Sequence, residues 1–175
     1  MNDSKIRLAD WIRDVADFPK PGILFKDITP LLANPAALAE AVRQMSDPFR
    51  GESIDHVVAV EARGFLFGAP MALDLEVGII PVRKPGKLPS ETRRFEYELE
   101  YGTDALEIHT DSVRPGDRVL VADDLLATGG TVAACCELLE QCGAEVIGCS
   151  FLIDLAFLGG AERLAPHRVT SLIRY

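Results

Sequence analysis

Short apolar runs alternate with helix-like segments along most of this chain, and that alternation restricts the fold more than any other feature. The runs occupy positions 56–60, 77–82, 118–122 and 145–152. Helical patterns separate them, one at 65–75 and another that begins near Gly130. Continuous apolar strands that alternate with helices are typical of a mostly parallel sheet flanked by helices on both faces. The pattern therefore predicts an α/β fold.

Length and charge narrow the possible partners. A chain of 175 residues suits one domain with one substantial core, predicted to span residues 1–175. The formal net charge is −9 and the sequence pI is near 4.8, so the surface repels nucleic acid and anionic membranes, and neither is expected as a partner. An anionic substrate would need a locally basic pocket.

Cysteine usage and the first residues indicate a cytoplasmic protein. The cysteines are Cys135, Cys136, Cys142 and Cys149. They form no C-x-x-C pair and fall in or near apolar segments, where cysteine behaves as a small hydrophobe, so a reducing compartment fits best. Residues 1–10 are polar and lack the apolar run of a signal peptide. No apolar stretch is long enough to span a bilayer.

Two regions lie outside the core alternation. At the start, Ser4 is predicted to cap a helix with Leu8, Trp11 and Val15 on one face. After the second predicted strand comes a long polar excursion, residues 85–109, with some β alternation near its end. Excursions of this length between core strands are commonly functional, for example as active-site lids.

The strongest chemical signal is the stretch 119–131, Val-Leu-Val-Ala-Asp-Asp-Leu-Leu-Ala-Thr-Gly-Gly-Thr. It predicts a buried strand, two carboxylates at the strand's carboxyl end, a short turn and a helix start. Amides at a helix start favour an anion, and glycines let a phosphate approach the backbone closely. Asp123 and Asp124 can accept hydrogen bonds from sugar hydroxyls. The stretch is predicted to hold a ribose 5-phosphate; the alternative is a solvated acid pair followed by a helix cap.

This stretch resembles the phosphoribosyl pyrophosphate (PRPP) motif of the type I phosphoribosyltransferases, and 123–131 is close to the adenine-specific branch. Other blocks resemble that branch in the same order. They are the N-terminal signature at 18–32, the pyrophosphate loop at 61–68, and the start and end of a flexible loop at 83–89 and 99–102. The resemblance runs from about residue 6 to the carboxyl terminus. It implies transfer of ribose 5-phosphate from PRPP to adenine, giving AMP and pyrophosphate in purine salvage.

The resemblance also implies a role for each matching residue. Ribose hydroxyls would bind Asp123 and Asp124, and the 5-phosphate would bind Ala127, Thr128, Gly129, Gly130 and Thr131. Pyrophosphate would bind Ala62, Arg63, Arg83, Lys84 and Lys87. Adenine would contact a small N-terminal hood, about residues 1–35, through Leu24, Phe25 and Lys26, with Leu155 on its other face. Glu100 and Arg63 would be the catalytic residues.

Departures from the family pattern occur at two positions. Ala62 stands where relatives often carry serine, which removes a hydroxyl contact. Lys26 stands where arginine is also common; the change is harmless if that position acts through its backbone, as we expect. The family further implies a cis peptide between Ala62 and Arg63.

Cofactor and partners follow from the same resemblance. Mg²⁺ is expected, held mainly by substrate and water rather than by protein ligands. A homodimer is implied. Two other functions are compatible with a similar fold. One is a transferase for a 6-oxo purine such as xanthine, against which the N-terminal block argues, and the other is a non-catalytic PRPP-sensing regulator. A regulator would need a DNA-binding domain, and the roughly 55 residues before the first core strand are not basic and carry no helix-turn-helix pattern.

Overall fold

The fold is described from a computed structural model, which covers residues 6–98 and 102–175. The strands are, in chain order, Arg13–Ala16 (β1), Leu24–Asp27 (β2), His56–Val60 (β3), Gly78–Val82 (β4), Thr92–Glu98 (β5), Thr103–His109 (β6), Arg118–Leu126 (β7), Glu145–Asp154 (β8) and Val169–Arg174 (β9). The α-helices are Thr29–Ala33 (α1), Pro35–Ser46 (α2), Phe65–Asp74 (α3), Gly130–Gln141 (α4) and Gly160–Arg163 (α5). Short 3₁₀ turns lie at Leu8–Trp11, Asp47–Phe49 and Ala156–Leu158.

A five-stranded sheet in the order β4-β3-β7-β8-β9 forms the centre of the molecule. Each neighbouring pair of its strands runs parallel. The predicted mostly parallel α/β sheet is therefore confirmed. Because parallel strands end at the same edge, the loops after β3, β4, β7 and β8 meet there, where open α/β sheets bind ligands.

Helices cover both faces of the sheet, as the continuous apolar strands predict. Val57 and Val58 are fully buried but contact different clusters, because successive side chains of a strand point to opposite faces. One cluster contains α1, α2 and α3. The other contains α4 and the hairpin β5–β6. The sheet that positions the loops at its carboxyl edge is therefore packed on both faces, by α1–α3 on one side and by α4 and the hairpin on the other.

The predicted first helix is wrong. Ser4 lies outside the described residues, and after the 3₁₀ turn Leu8–Trp11 the chain enters β1. β1 pairs antiparallel with β2, and Val15 lies opposite Phe25. Strand pairing with a partner ten residues away overrides the weak local helical pattern. The resulting hairpin carries three of the four predicted adenine-binding residues, Leu24, Phe25 and Lys26.

The central sheet differs from the sequence prediction in two of its strands, β7 and β9. β7 continues to Leu126, so the acid pair lies within the strand rather than after it, because β8 pairs with it as far as Leu126↔Asp154. The sequence pattern also gave no strand at 169–174. β9 is only partly buried and includes Thr170 and Ser171, so it lacks the continuous apolar run that identifies the inner strands.

The excursion between β4 and β7 forms the antiparallel pair β5–β6. It joins the sheet edge through a bridge between Arg83 and Glu107, whose backbone groups exchange hydrogen bonds of 2.9 and 2.7 Å. Among the described residues, no helix combines the length and apolar character needed to cross a membrane.

Candidate active site

A cleft of about 440 Å³ opens at the carboxyl edge of the sheet, between the loops that follow β3 and β7. Its lining residues are Val60, Glu61, Ala62, Arg63, Lys84, Asp123, Asp124, Leu125, Leu126, Ala127, Thr128, Gly129, Gly130, Thr131 and Val132. The structure therefore brings together ten of the predicted site residues. Arg83, Lys87, Leu24, Phe25, Lys26 and Leu155 do not line this cleft, and Glu100 lies outside the described residues.

The turn from β7 into α4 presents backbone amides to this cleft. Gly129 adopts a left-handed conformation with φ of 76°, which a side chain would disfavour, and a Cβ there would lie 2.8 Å from the Gly160 carbonyl oxygen. The first amides of α4 precede the helix's own hydrogen bonds, and the helix dipole adds partial positive charge. This end of the cleft is suited to a phosphate group.

The two carboxylates at the end of β7 have different environments. Asp124 is buried and its Oδ2 accepts a hydrogen bond of 2.6 Å from Arg63 Nε. Asp123 Oδ1 accepts from the Asp124 amide at 2.8 Å. Burial, and secondly the neighbouring Asp124 carboxylate, raise the pKa of Asp123 well above its ordinary value. The site thus holds one acid that is already paired with a cation and one whose ionisation is opposed by its surroundings.

Gly64 makes this arrangement possible. A Cβ at that position would lie 2.5 Å from the Val60 carbonyl oxygen and 2.8 Å from Asp123 Oδ1. Distances under about 3 Å are not tolerated by backbone atoms without movement. The loop after β3 can therefore approach the end of β7 only because residue 64 has no side chain.

Three cations in or beside the cleft have carboxylate partners, namely Arg63, Arg83 and Lys84. Arg63 pairs with Asp124. Arg83 Nε pairs with Glu61 at 2.8 Å, and Lys84 pairs with Asp104. Burial acts to lower the pKa of Lys84, but its hydrogen bonds to Asp104 and Tyr97 outweigh it and leave the pKa raised. Lys84 is therefore charged at neutral pH.

The predicted adenine-binding residues lie on β2 and after β8. Phe25 is half-buried, packs edge-to-face on Phe18 with ring centroids 5.1 Å apart, and lies 5.8 Å from the Arg63 guanidinium carbon. Leu24 is 51% exposed. Leu155 follows β8, where its amide donates to the Leu126 carbonyl.

The Lys26 side chain points toward other residues of the protein. Its Nζ donates to Asp14 Oδ1 at 2.6 Å and lies 3.7 Å from the centroid of the Tyr175 ring. The aliphatic and charged parts of the side chain are therefore occupied, and its backbone is the part left for a ligand. The prediction that position 26 acts through its backbone stays a prediction.

Comparisons with known proteins identify the family. Residues 27–168 match the phosphoribosyl transferase domain. An adenine phosphoribosyltransferase of Rhodopirellula baltica is 60% identical over 96% of this chain and 82% of its own length. The chain belongs to the adenine phosphoribosyltransferase family. A crystal structure of the Thermoanaerobacter pseudethanolicus enzyme of that name matches with a TM-score of 0.93 and 51% identity, covering 96% of this chain and 98% of the other.

A second solved member of the adenine phosphoribosyltransferase family carries ligands. The Saccharomyces cerevisiae enzyme, crystallised with an iminoaltritol bisphosphate and adenine, matches with a TM-score of 0.88 and 39% identity, covering 94% of this chain and 95% of the other. The resemblance to the type I phosphoribosyltransferases that the sequence motifs suggested is therefore confirmed.

One backbone expectation for this member of the adenine phosphoribosyltransferase family is wrong. The cis peptide joins Glu61 to Ala62, not Ala62 to Arg63. β3 ends at Val60, and the Glu61 amide makes the last hydrogen bond to β4, donating to the Val82 carbonyl at 3.0 Å. The chain leaves the sheet at Glu61, so the turn begins one residue earlier than expected.

The sequence motifs of the family do not identify the carboxylates that pair with Arg83 and Lys84. Glu61 lies 22 residues before Arg83, and Asp104 lies 20 residues after Lys84. Only the parallel pairing of β3 with β4, and the attachment of the hairpin to β4, bring these pairs together. The net charge of −9 was the one signal in the sequence that such cations would lie near acids.

Proposed function

We propose that this protein transfers the ribose 5-phosphate group of PRPP to the N9 nitrogen of adenine, giving AMP and pyrophosphate in purine salvage. The observation that carries the proposal is the cleft in which a helix-start anion site adjoins a carboxylate pair and two cations, Arg63 and Lys84. Phosphate, ribose and pyrophosphate need these three kinds of group side by side.

PRPP would lie along the end of β7 and the start of α4. The 5-phosphate accepts hydrogen bonds from the amides of residues 127–131 and the hydroxyls of Thr128 and Thr131. Its ribose hydroxyls donate to Asp123 and Asp124. Since Asp123 has a raised pKa, hydroxyl donors or a metal ion beside it would favour its ionised form.

The departing pyrophosphate would be stabilised by Arg63, Lys84, Arg83 and Lys87, with backbone groups at Ala62. As the bond from the sugar carbon to pyrophosphate breaks, negative charge grows on the leaving oxygen, and preformed cations lower that barrier. The Arg63 guanidinium must then either bind pyrophosphate and Asp124 together or break its ion pair with Asp124. The same movement frees the Asp124 carboxylate for the ribose hydroxyls.

Adenine would bind between Phe25 and Leu155, with backbone groups of Leu24 and Lys26 reading its polar edge. Phe25 suits this role because its ring borders Arg63 rather than the core. The base nitrogen N9 forms the new bond to the sugar carbon, and its proton passes to an acceptor, for which we propose Glu100. The hood that holds the base comprises about residues 1–35 of a single domain spanning residues 1–175.

Mg²⁺ fits this donor set as a substrate-bound ion. The described residues contain no group of three or more potential metal ligands, whereas Asp123 and Asp124 offer adjacent carboxylates at the cleft. Mg²⁺ commonly keeps several waters and binds through substrate phosphates with little direct protein ligation. When bound, it would neutralise charge on pyrophosphate, and the protein would orient the substrate around it.

The proposed reaction is tested by incubating the purified protein with adenine, PRPP and Mg²⁺. We expect AMP and pyrophosphate in equal amounts, and no AMP when chelator replaces Mg²⁺. Consumption of PRPP without AMP, or AMP formation that ignores Mg²⁺, would contradict the proposal.

The acid pair gives the first mutational prediction. Asp123→Asn and Asp124→Asn should each raise the KM for PRPP, because each loses charge-assisted hydrogen bonds of about 1.5–3 kcal/mol, which corresponds to roughly ten- to a hundredfold. Melting temperature should show that both variants fold. Asp111→Asn, an exposed acid near the amino end of β3, is the control. Unchanged PRPP kinetics in both site variants would refute the assignment.

The proposed homodimer is supported by an exposed apolar stripe. Leu66, Ala69 and Leu73 share one face of α3, and Leu73 is 80% exposed. Ile79 on the edge strand β4 is also exposed. A second copy of this chain would cover the stripe, since exposed apolar patches of this kind mark interaction sites.

The stripe gives a prediction for assembly. Leu73→Glu should convert the dimer to monomer in sedimentation velocity, because an uncompensated charge would be buried at the interface. Leu158→Glu, at an exposed leucine outside the stripe, should leave the dimer intact. A wild-type monomer, or equal effects of both variants, would contradict this interface.

A cytoplasmic location is also proposed, in keeping with four free cysteines.

A further inference from the structure

The ammonium group of Lys84 is held by two residues that do not themselves line the cleft. It donates to Tyr97 Oη at 3.1 Å and forms an ion pair with Asp104. Tyr97 and Asp104 lie directly opposite each other in the hairpin β5–β6, so both approach Lys84 from one element. Because an ammonium has three N–H donors, one remains for a ligand. The Lys84 side chain is 34% exposed and lines the cleft.

Asp104 is fixed independently of Lys84. Its Oδ1 accepts a hydrogen bond of 2.8 Å from the Ala105 amide, and its Oδ2 accepts one of 3.2 Å from Tyr97 Oη. Tyr97 is itself buried at 9% exposure within the cluster that includes α4. The acceptor that Lys84 meets is thus oriented before any substrate arrives, which reduces the entropy lost on binding.

The same tyrosine reaches the phosphate end of the cleft. Tyr97 Oη lies 3.4 Å from Thr131 Oγ1, in the first turn of α4. One cross-strand pair therefore touches a cation on the pyrophosphate side and a hydroxyl on the 5-phosphate side. A shift of the hairpin would move both groups together.

We propose that Asp104 and Tyr97 are positioning residues for PRPP, which act by holding the Lys84 ammonium through hydrogen bonds while Tyr97 packs against the Thr131 side chain, so that the two groups keep a fixed separation across the cleft. The proposal rests on PRPP being the substrate of this cleft. It assigns to the hairpin a role in binding the two ends of PRPP. That role is separate from the proton transfer proposed for Glu100.

The test is a double-mutant cycle on PRPP affinity, measured by calorimetry with PRPP and Mg²⁺ and without adenine. Asp104→Asn should weaken PRPP binding about tenfold, the loss expected for one charge-assisted hydrogen bond, and Tyr97→Phe about threefold. In a Lys84→Ala background, Asp104→Asn should cause little further loss, because its effect passes through Lys84. Glu96→Gln is the control; Glu96 lies on the same hairpin, is 67% exposed and pairs with Arg94.

An unchanged PRPP affinity in Asp104→Asn would overturn the proposal. So would an equal loss with and without Lys84, which would mean that Asp104 supports only the fold. If Asp104→Asn does not fold, Tyr97→Phe keeps the ring and its packing, and the same cycle with Lys84→Ala decides the question. A wild-type protein that does not bind PRPP would overturn the proposed function as well, so the two failures are distinguishable.

Discussion

Adenine should be used better than hypoxanthine or guanine by on the order of 10⁴ in kcat/KM. Adenine carries an exocyclic amino donor where the other two bases carry a carbonyl acceptor. Backbone groups of the hood around Leu24 and Lys26, set by the β1–β2 pairing, would pair with the donor. A wrong base would cover those groups without pairing with them, and unpaired buried polar groups are the source of large discrimination.

Initial rates with each base at saturating PRPP and Mg²⁺ measure this ratio. Guanine serves as the internal control, since it shares the 6-oxo group with hypoxanthine and should be rejected to a similar degree. Comparable turnover of hypoxanthine, or preferred use of xanthine, would instead favour a 6-oxo purine transferase with the same sheet and phosphate site.

Replacing Glu100 with alanine should lower kcat/KM for adenine by at least about 10², the lower end of the usual range for general acid–base catalysis. Adenine loses a ring proton when its N9 bonds to the sugar, and a carboxylate beside the base can accept that proton. Glu100 lies between the two strands of the hairpin in sequence, although outside the described residues. A loop that closes over the cleft would bring the acid and exclude water together.

Glu98→Ala is the matched control for Glu100→Ala. Glu98 ends β5 and is exposed, so it represents one of several solvated acids in an acidic chain. Its replacement should change kcat/KM little. Small and equal effects of the two substitutions would mean that Glu100 has no special role, and an equal loss in both would indicate a general effect on the hairpin.

The central sheet could be predicted from the sequence because its inner strands carry their own signal. The predicted bounds of β3 at 56–60 agree with the structure, since a fully buried parallel strand is a continuous apolar run. β1 could not be recognised, because its four residues become a strand only through pairing with β2. β9 could not be recognised either, because its mixture of polar and apolar residues is also typical of a loop.

The turn from β7 into α4 that lines the cleft was also predictable, because its residues are contiguous. The end of the strand, the turn and the start of the helix lie in one stretch around Gly129. Local chemistry alone therefore indicates an anion site there. The partners of the cations were not predictable. Asp104 and Tyr97 are ordinary hairpin residues in the sequence, and only the folded hairpin brings them to Lys84 and Thr131.

A crystal structure with AMP bound would test the proposed function most directly, because AMP contains the three parts of the product that the cleft is proposed to hold. We expect the phosphate within hydrogen-bond distance of the amides of residues 127–131. We also expect the ribose hydroxyls at Asp123 and Asp124, and the base against Phe25. An AMP phosphate bound elsewhere, such as at Lys87, or a base that does not contact the hood, would contradict it.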